Sequence, residues 1–434
     1  MTGNKIDHLS ALPNELLDDI FRRVRRPLPL VGTLNKRLLP FLLKNLYRET
    51  SISTWRKLEL FCQQSTQKPE LASYVEELDL SLMMDSFRGL LTSDCFEDPH
   101  LELKDQVVDF FHRLSQLKSL RINGTSWIAR LPFEISDSNK FPFSSTLTSL
   151  DIETTFDEGE RRLERPNLWS LFHYPRLSQF TVEMRIRGDY SDDDETEFER
   201  EPPILLPNLT CINIAAPLSK LHVLGPFINS APSLHSLGLC DPFHPDSTLL
   251  KLVGRVRKPS TLSDLSLSTE HEPFIETVSP RLIEPLESFT KLQTIEVGFP
   301  PIHGLSRVLS KLPLKNLWWN CNEGVTTHDV RNVLVGPNRV ETLKRLSVSG
   351  IYGDGRGKSL AGVDWEEDID PEEHGWVLPG WTDDFSREGF EGVVELAESM
   401  GVAIDGRAVD ALEVEDEWER ELAAFNTRRP VDRN

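Results

Sequence analysis

The chain has 434 residues, of which 38% are hydrophobic and 27% charged, and its formal net charge is −21 at pH 7. Such an acidic chain repels a phosphate backbone, and no apolar run reaches the roughly 18 residues of a membrane helix, so we expect neither a nucleic-acid nor a membrane partner. Five scattered cysteines without CxxC spacing, and a start without a secretory apolar core, indicate the cytoplasm, the nucleus or both.

The first 50 residues carry nine basic and five acidic side chains and do not share the pattern of the rest. Ser10 and Pro13 are typical of a helix start. An apolar stripe with the spacing i, i+3, i+4, i+7 follows at Leu17, Ile20, Phe21 and Val24. After a proline-containing break, a second helical stripe lies at Leu34, Leu38, Phe41 and Leu42. Residues 1–50 are therefore predicted to form a small all-α segment, which is marginal in stability by itself.

Between residues 75 and 348 one six-residue pattern occurs ten times: apolar, two variable residues, apolar, one variable residue, apolar. The fourth positions of the copies are Leu78, Leu120, Leu150, Phe180, Ile212, Leu237, Leu265, Ile295, Leu317 and Leu346. The steps average about 30 residues, and a period of about 20 to 50 residues is typical of stacked units that bury a shared core.

Each copy alternates apolar and polar residues, which predicts a short strand. Helical stripes lie between copies, for example at Leu249, Leu252, Val253 and Val256 and at Leu305, Val308, Leu309 and Leu312. The predicted fold class is therefore α/β: a solenoid of about ten strand–helix units over residues 51–350, with parallel strands on one side and helices on the other.

The variable positions beside the fourth and sixth residues of each copy are predicted to face solvent on the strand side. A polar array of this kind can bind a protein partner, although a plain solvated surface is the alternative for each residue. The predicted target-binding positions are Glu77, Asp79, Arg121, Asp151, Glu183, Trp318 and Arg345. Trp318 stands out because exposed tryptophan is a common binding anchor. Alternation places Trp319 in the core, and a slip of one residue would exchange the two.

Residues 351–434 carry eight basic and 23 acidic side chains. The glycine-rich stretch 350–359 ends in Gly-Lys-Ser, but Tyr352 stands where a phosphate-binding loop needs glycine, so we predict an ordinary loop. A helical stripe at Phe390, Val393, Val394 and Ala397, followed by the apolar stretch 402–404, predicts a capping repeat at about 386–412. The remainder is predicted to be a flexible acidic tail.

The repeated pattern resembles the leucine-rich-repeat family, whose unit begins L-x-x-L-x-L and whose fold is a horseshoe. The resemblance covers roughly residues 70–350 and implies that the strand side is the concave, partner-binding face. The family's Asn or Cys, eight residues after the first Leu, is matched only by Asn322. The loops are therefore expected to be less regular than in the family.

Residues 12–21, Leu-Pro-Asn-Glu-Leu-Leu-Asp-Asp-Ile-Phe, resemble the start of an F-box. In that family this stretch binds the Skp adaptor of a cullin-based ubiquitin ligase. The resemblance implies adaptor contacts by Leu12, Pro13, Leu16, Leu17, Ile20 and Phe21. Ile20 and Phe21 are alternatively core residues of the segment. Residues 26–30 and 33–38 depart from the family pattern, but an F-box ahead of degenerate leucine-rich repeats is the layout of fungal substrate receptors.

The sequence contains none of the motifs HExxH, GxSxG and GxGxxG, and no Cys or His cluster with metal-ligand spacing. We therefore predict a protein that is not an enzyme and has no catalytic residues, cofactor or metal. The resemblance implies a substrate-recognition subunit of a Skp–cullin–F-box-type E3 ubiquitin ligase, with the Skp-type adaptor, a cullin ligase and an unidentified target as partners. The alternative is a leucine-rich-repeat interaction scaffold without a ligase role.

Overall fold

The computed structural model describes residues 13–14, 16–17, 38–82, 101–124, 126–134, 140–157, 168–187, 204–216, 224–240, 246–268, 284–298, 305–319, 326–348, 386–406, 408–409 and 412. They belong to two compact units, Met1–Ser233 (unit 1) and Leu234–Asn434 (unit 2). Each unit contains six described parallel strands and several helices. The predicted α/β class, with parallel strands alternating with helices, is confirmed.

The strands of unit 1 pair in chain order, each parallel to the next. They are β1 (Glu49–Ile52), β2 (Glu77–Ser81), β3 (Ser119–Gly124), β4 (Ser149–Asp157), β5 (Gln179–Arg187) and β6 (Cys211–Ala215). The fourth positions of successive sequence copies are direct partners in this ladder, as Leu120 is of Leu150. The repeated pattern is thus in register from β2 to β6.

The described helices of unit 1 precede these strands, lie between them or, in the case of the last helix, follow β6. They are α1 (Leu39–Arg48), α2 (Trp55–Gln67), α3 (Pro69–Ser73), α4 (Lys104–Phe111), α5 (Ser126–Arg130) and α6 (Leu224–Asn229). The described 3-10 helices of this unit span Leu101–Leu103, Leu131–Phe133, Pro142–Ser145 and Leu168–His173. Local sequence explains some of the boundaries: Lys57 N donates to Thr54 Oγ1 over 3.3 Å at the start of α2, and Pro69 occupies the first turn of α3.

Aromatic rings link successive repeats in the core of unit 1. Ring centroids lie 5.3 Å apart between Phe61 and Phe110, 6.0 Å between Phe111 and Phe143, and 6.3 Å between Phe143 and Tyr174. Tyr174 is fully buried, and its hydroxyl donates to the carbonyl of Pro132 over 3.2 Å. Aromatic pairs add about 0.5–1.5 kcal/mol beyond burial, so these contacts stabilise the stacking of one repeat on the next.

Unit 2 has the same organisation. Its strands are β7 (Ser236–Cys240), β8 (Asp264–Ser268), β9 (Thr294–Gly298), β10 (Asn316–Trp319), β11 (Arg345–Val348) and β12 (Ala403–Asp405), again paired in parallel in chain order. Its helices are α7 (Asp246–Val253), α8 (Leu305–Leu309), α9 (Thr327–Leu334) and α10 (Arg387–Ser399), with 3-10 helices at Pro259–Thr261 and Glu284–Ser288. A reciprocal capping box between Thr326 and Asp329 starts α9.

A threonine hydroxyl ties several repeats to the preceding one. Thr146 Oγ1 donates to the carbonyl of Leu117 over 2.7 Å. Thr261 binds the carbonyl of Leu234 over 2.8 Å, and Thr342 that of Leu314 over 2.7 Å. In all three cases the threonine directly precedes the first leucine of one copy, and the acceptor is the first leucine of the copy before it. The bond is therefore a repeated feature of the architecture.

In the part of the chain that the structure describes, α-helices do not precede every strand. Each of the ten sequence copies carries a strand, from β2 to β11, but 3-10 helices precede β5 and β9 where α-helices were expected. Pro285 lies in the first turn of the second of these. Of the F-box-like segment, the structure describes a helical turn at residues 14, 16 and 17 and helix α1.

Candidate functional site

The strand face of unit 1 is a polar surface ordered into rows by the parallel register. Asp79, Arg121 and Asp151 are consecutive partners in one row. Glu183 lies beside Glu153 in the next row along the strands. Glu77 lies in a third row, between Glu49 and Ser119. The structure therefore brings the five predicted target-binding residues of unit 1 onto one surface, while Leu78 and Leu80 between them are buried.

Hydrogen bonds and one ion pair fix this surface internally. Arg121 Nε lies 3.4 Å from Asp151 Oδ2 on the next strand. Asn123 Nδ2 donates to Glu153 Oε2 over 2.6 Å, and Ser81 Oγ donates to Asp79 Oδ1 over 2.8 Å. The face thus presents oriented carboxylates, which accept hydrogen bonds from a partner's donors.

Partial burial raises the pKa of Asp151, and the carboxylates of Asp79 and Glu183 raise it further, while Arg121 lowers it. Desolvation and like charge therefore outweigh the ion pair at this position. The face has an excess of negative charge close to Asp151, and this favours a partner that brings positive charge.

The strand face of unit 2 contains the two other predicted residues. Trp318 is partly exposed in β10, whereas the adjacent Trp319 is 2% exposed. The alternation of the strand therefore places Trp318 on the solvent side, without a slip in register. Arg345 in β11 pairs with Asp405 in β12, with Nη2 2.5 Å from Oδ2. In the row of Trp318, Glu296 is its direct partner on one side and Ser347 on the other.

The predicted adaptor-binding residues differ in exposure. Pro13 is exposed, Leu16 is 51% exposed, and Leu17 is fully buried. Leu17 packs with Leu38 and Leu42. The prediction that Leu17 contacts the adaptor is therefore corrected: its side chain belongs to the core and is not on the surface. Leu12, Ile20 and Phe21 lie outside the described residues.

Helix α1 carries further exposed leucines outside the F-box-like motif. Leu39 and Leu46 are exposed and Leu43 is partly exposed, and the spacing i, i+4, i+7 puts the three on one side of the helix. The buried stripe of Leu38 and Leu42 is offset from it by one residue. A second apolar stripe next to a core stripe was the available signal in the sequence.

Other kinds of site have little support in the part of the chain that the structure describes. A cavity of about 10 Å³ between α5, β4 and β5 has room for about one water molecule. Within the described ranges, no group of three or more His, Cys, Asp or Glu residues is arranged to hold a metal ion. No helix among them is long and apolar enough to span a bilayer. The glycine-rich stretch 350–359 lies outside the described residues.

The fold and the two strand faces thus define a repeat protein of parallel strand–helix units with ordered polar rows. No protein-family model matches the chain, and no curated protein matches it. A solved structure of a protein from Bacteroides fragilis is 12% identical in sequence, with a TM-score of 0.29, over 70% of this chain and 68% of that chain. A likeness at that level carries no argument about function.

Proposed function

We propose that this chain is a non-catalytic substrate-recognition subunit of a Skp–cullin–F-box-type E3 ubiquitin ligase in the cytoplasm or nucleus. Residues 1–50 dock the adaptor, and repeats of the leucine-rich type bind the target protein. One observation carries the proposal. Leu17 is buried with Leu38 and Leu42, while about half of the adjacent Leu16 is exposed to solvent.

The exposed leucines are consistent with a docking surface. A leucine side chain gains about 1.5–3 kcal/mol when it is moved fully from water into an apolar contact. In the isolated chain, Leu16, Leu39 and Leu46 stay partly in water, so this free energy is only partly gained. An apolar partner that covers them recovers it, and the core beneath, formed by Leu17, Leu38 and Leu42, holds the helices that present them.

The strand faces suit the recognition of a target protein. Neighbouring strands lie about 4.8 Å apart, so the six strands of one unit span roughly 24 Å of ordered polar rows. Fixed donors and acceptors such as Asn123 and Glu153 confer specificity on a bound partner. In the ligase, the chain would act by holding the target close to the catalytic subunits, which raises its local concentration.

The runner-up function is an interaction scaffold without a ligase role, and one observation favours it. Helix α1 ends at Arg48 and strand β1 begins at Glu49, so the N-terminal segment continues directly into the first strand. Terminal repeats of solenoids need caps that shield the core. In this reading residues 1–50 serve only as such a cap.

Adaptor binding by the full chain decides between the two. We would measure co-purification with a Skp-type adaptor for the wild type and for a Pro13→Ala/Leu16→Ala variant. Leu60→Ala on α2 is the matched control, because Leu60 is 48% exposed in the structure. The ligase role predicts binding by the wild type and the control and loss in the double variant. If the folded wild-type chain binds no adaptor, the ligase role is wrong and the scaffold function remains.

A further inference from the structure

Among the strand residues whose exposure the structure describes, Trp318 is the only aromatic residue on the solvent side. It lies in the middle of β10, and its row runs from Ser266 through Glu296, Trp318 and Ser347 to Asp405. Neighbouring residues in such a row are about 4.8 Å apart. Trp318 therefore has a glutamate as its strand partner on one side and a serine on the other.

The carboxylate beside the ring is held in place. Ser266 Oγ, on the strand beyond Glu296, donates to Glu296 Oε2 over 2.7 Å. One side of the carboxylate is therefore bound from β8, away from Trp318. Glu296 is partly exposed, like Trp318, so both groups are accessible from the same side of the sheet.

Charge on this face selects the ligand. The described strand residues of unit 2 carry three carboxylates, Asp264, Glu296 and Asp405, and one guanidinium, Arg345, which Asp405 already binds. Lys315, one residue before β10, donates to Gln293 Oε1 over 2.9 Å at the edge of the sheet. A neutral apolar ligand would remove the Glu296 carboxylate from water at a cost in free energy, and an anion would be repelled by it. A cation is favoured by both the ring and the carboxylate.

We propose that Trp318 and Glu296 form a cation-binding contact that takes an arginine or lysine side chain of a partner protein. Tryptophan is the best ring for cation–π contacts, which act within about 6 Å of the ring centroid, and Glu296 is the direct strand partner of Trp318. Arginine fits better than lysine, because its planar guanidinium stacks on a ring and hydrogen-bonds a carboxylate at the same time. The inference rests on the proposed function for the partner being a protein.

The contact can be tested by ¹⁹F NMR on the full chain labelled with 5-fluorotryptophan. The chain has nine tryptophans, and Trp318→Phe identifies the resonance of Trp318 by its disappearance. The probe is the blocked peptide Gly-Arg-Gly-Arg-Gly, and its control is the same peptide with neutral citrulline in place of arginine. We expect a saturable shift of the Trp318 resonance with the arginine peptide and little or none with the citrulline peptide.

Two charge variants separate a specific contact from general attraction to an acidic chain. Glu296→Gln is expected to weaken binding of the arginine peptide by about three- to tenfold, because it removes a direct charge partner. Glu398→Gln removes the same charge on an exposed position of α10 and should leave the affinity within twofold of the wild type. Equal shifts with both peptides, or equal weakening by both variants, would overturn the proposal.

The result is independent of the adaptor assay, since that assay concerns residues 1–50. Adaptor binding without an arginine-dependent shift at Trp318 would overturn this contact and leave the ligase role intact. A shift at Trp318 without adaptor binding would overturn the ligase role and leave the contact as part of a scaffold.

Discussion

Arg345 in β11 binds Asp405 in β12, 60 residues further along the chain, with Nε 2.6 Å from Oδ2. This pair joins the last described strand to the rest of unit 2. Behind it, helix α10 buries Phe390, Val393 and Ala397. Helix α10 and β12 together have the composition of a terminal repeat, with an apolar inner side and charged residues outside.

The buried ring of α10, not the ion pair, is expected to hold this terminal repeat. Phe390 is fully buried, so Phe390→Ala should cost about 3–5 kcal/mol of unfolding free energy. The side chains of Arg345 and Asp405 are 55% and 36% exposed. Arg345→Met should therefore cost less than about 1 kcal/mol. Urea unfolding of the two variants measures both values. A larger loss of unfolding free energy in Arg345→Met than in Phe390→Ala would show that the ion pair, not the buried ring, holds the terminal repeat.

The hydroxyl of Thr146 is expected to stabilise the junction between two repeats. Thr146→Val keeps the shape but removes the donor to the Leu117 carbonyl, and we expect a loss of about 0.5–1.5 kcal/mol. Thr146→Ser keeps the hydroxyl and should lose less. Chemical unfolding of the pair checks this, and equal stability of the valine and serine variants would show that the bond contributes nothing.

The raised pKa of Asp151 predicts the sign of a pH effect. Because the folded pKa is above the ordinary value, the folded chain disfavours this carboxylate, and the resulting stability is present at low pH and lost as the pH rises. Asp151→Asn should thus be neutral or stabilising at pH 7, by less than about 1 kcal/mol. The stability of the wild type should rise relative to that of Asp151→Asn as the pH falls from 7 toward 3.8, the ordinary aspartate pKa.

Arg121→Gln provides the opposite comparison. It removes the group that favours the ionised form of Asp151, so it should lower the stability at pH 7 and leave it nearly unchanged at low pH. Unfolding free energies measured across that range test both variants. A clear loss in Asp151→Asn at pH 7 would show that the ion pair outweighs burial.

The strands of the ten copies could be predicted because their alternation is visible in the sequence, and this also placed Trp319 in the core. Strand β1 was missed, since Glu49–Ile52 has one buried residue and becomes a strand only by pairing with β2. The aromatic contacts from Phe61 to Tyr174 were missed because these residues follow no regular spacing. They meet only after the repeats have stacked.

On the candidate surfaces too, features set by a local pattern could be predicted, and contacts between distant segments could not. Alternation predicted that Asp79, Arg121 and Asp151 face solvent together, and the same position within each copy puts them in one row. The contact between Arg345 and Asp405 depends on how β12 pairs with β11 across a long intervening segment. No local sequence pattern predicts the register of that pairing. Burial of Leu17 instead of Leu16 depends on where Leu38 and Leu42 of the second stripe lie.

The most direct test of the proposed function is the affinity of the full chain for a Skp-type adaptor, measured by calorimetry with Leu16→Ala and Leu60→Ala. Both variants remove an exposed leucine, and neither position supports the core. The account predicts at least a tenfold weaker affinity for Leu16→Ala, which corresponds to about 1.4 kcal/mol, and an unchanged affinity for Leu60→Ala. No measurable binding by the folded wild type, or equal affinities of all three proteins, would contradict it.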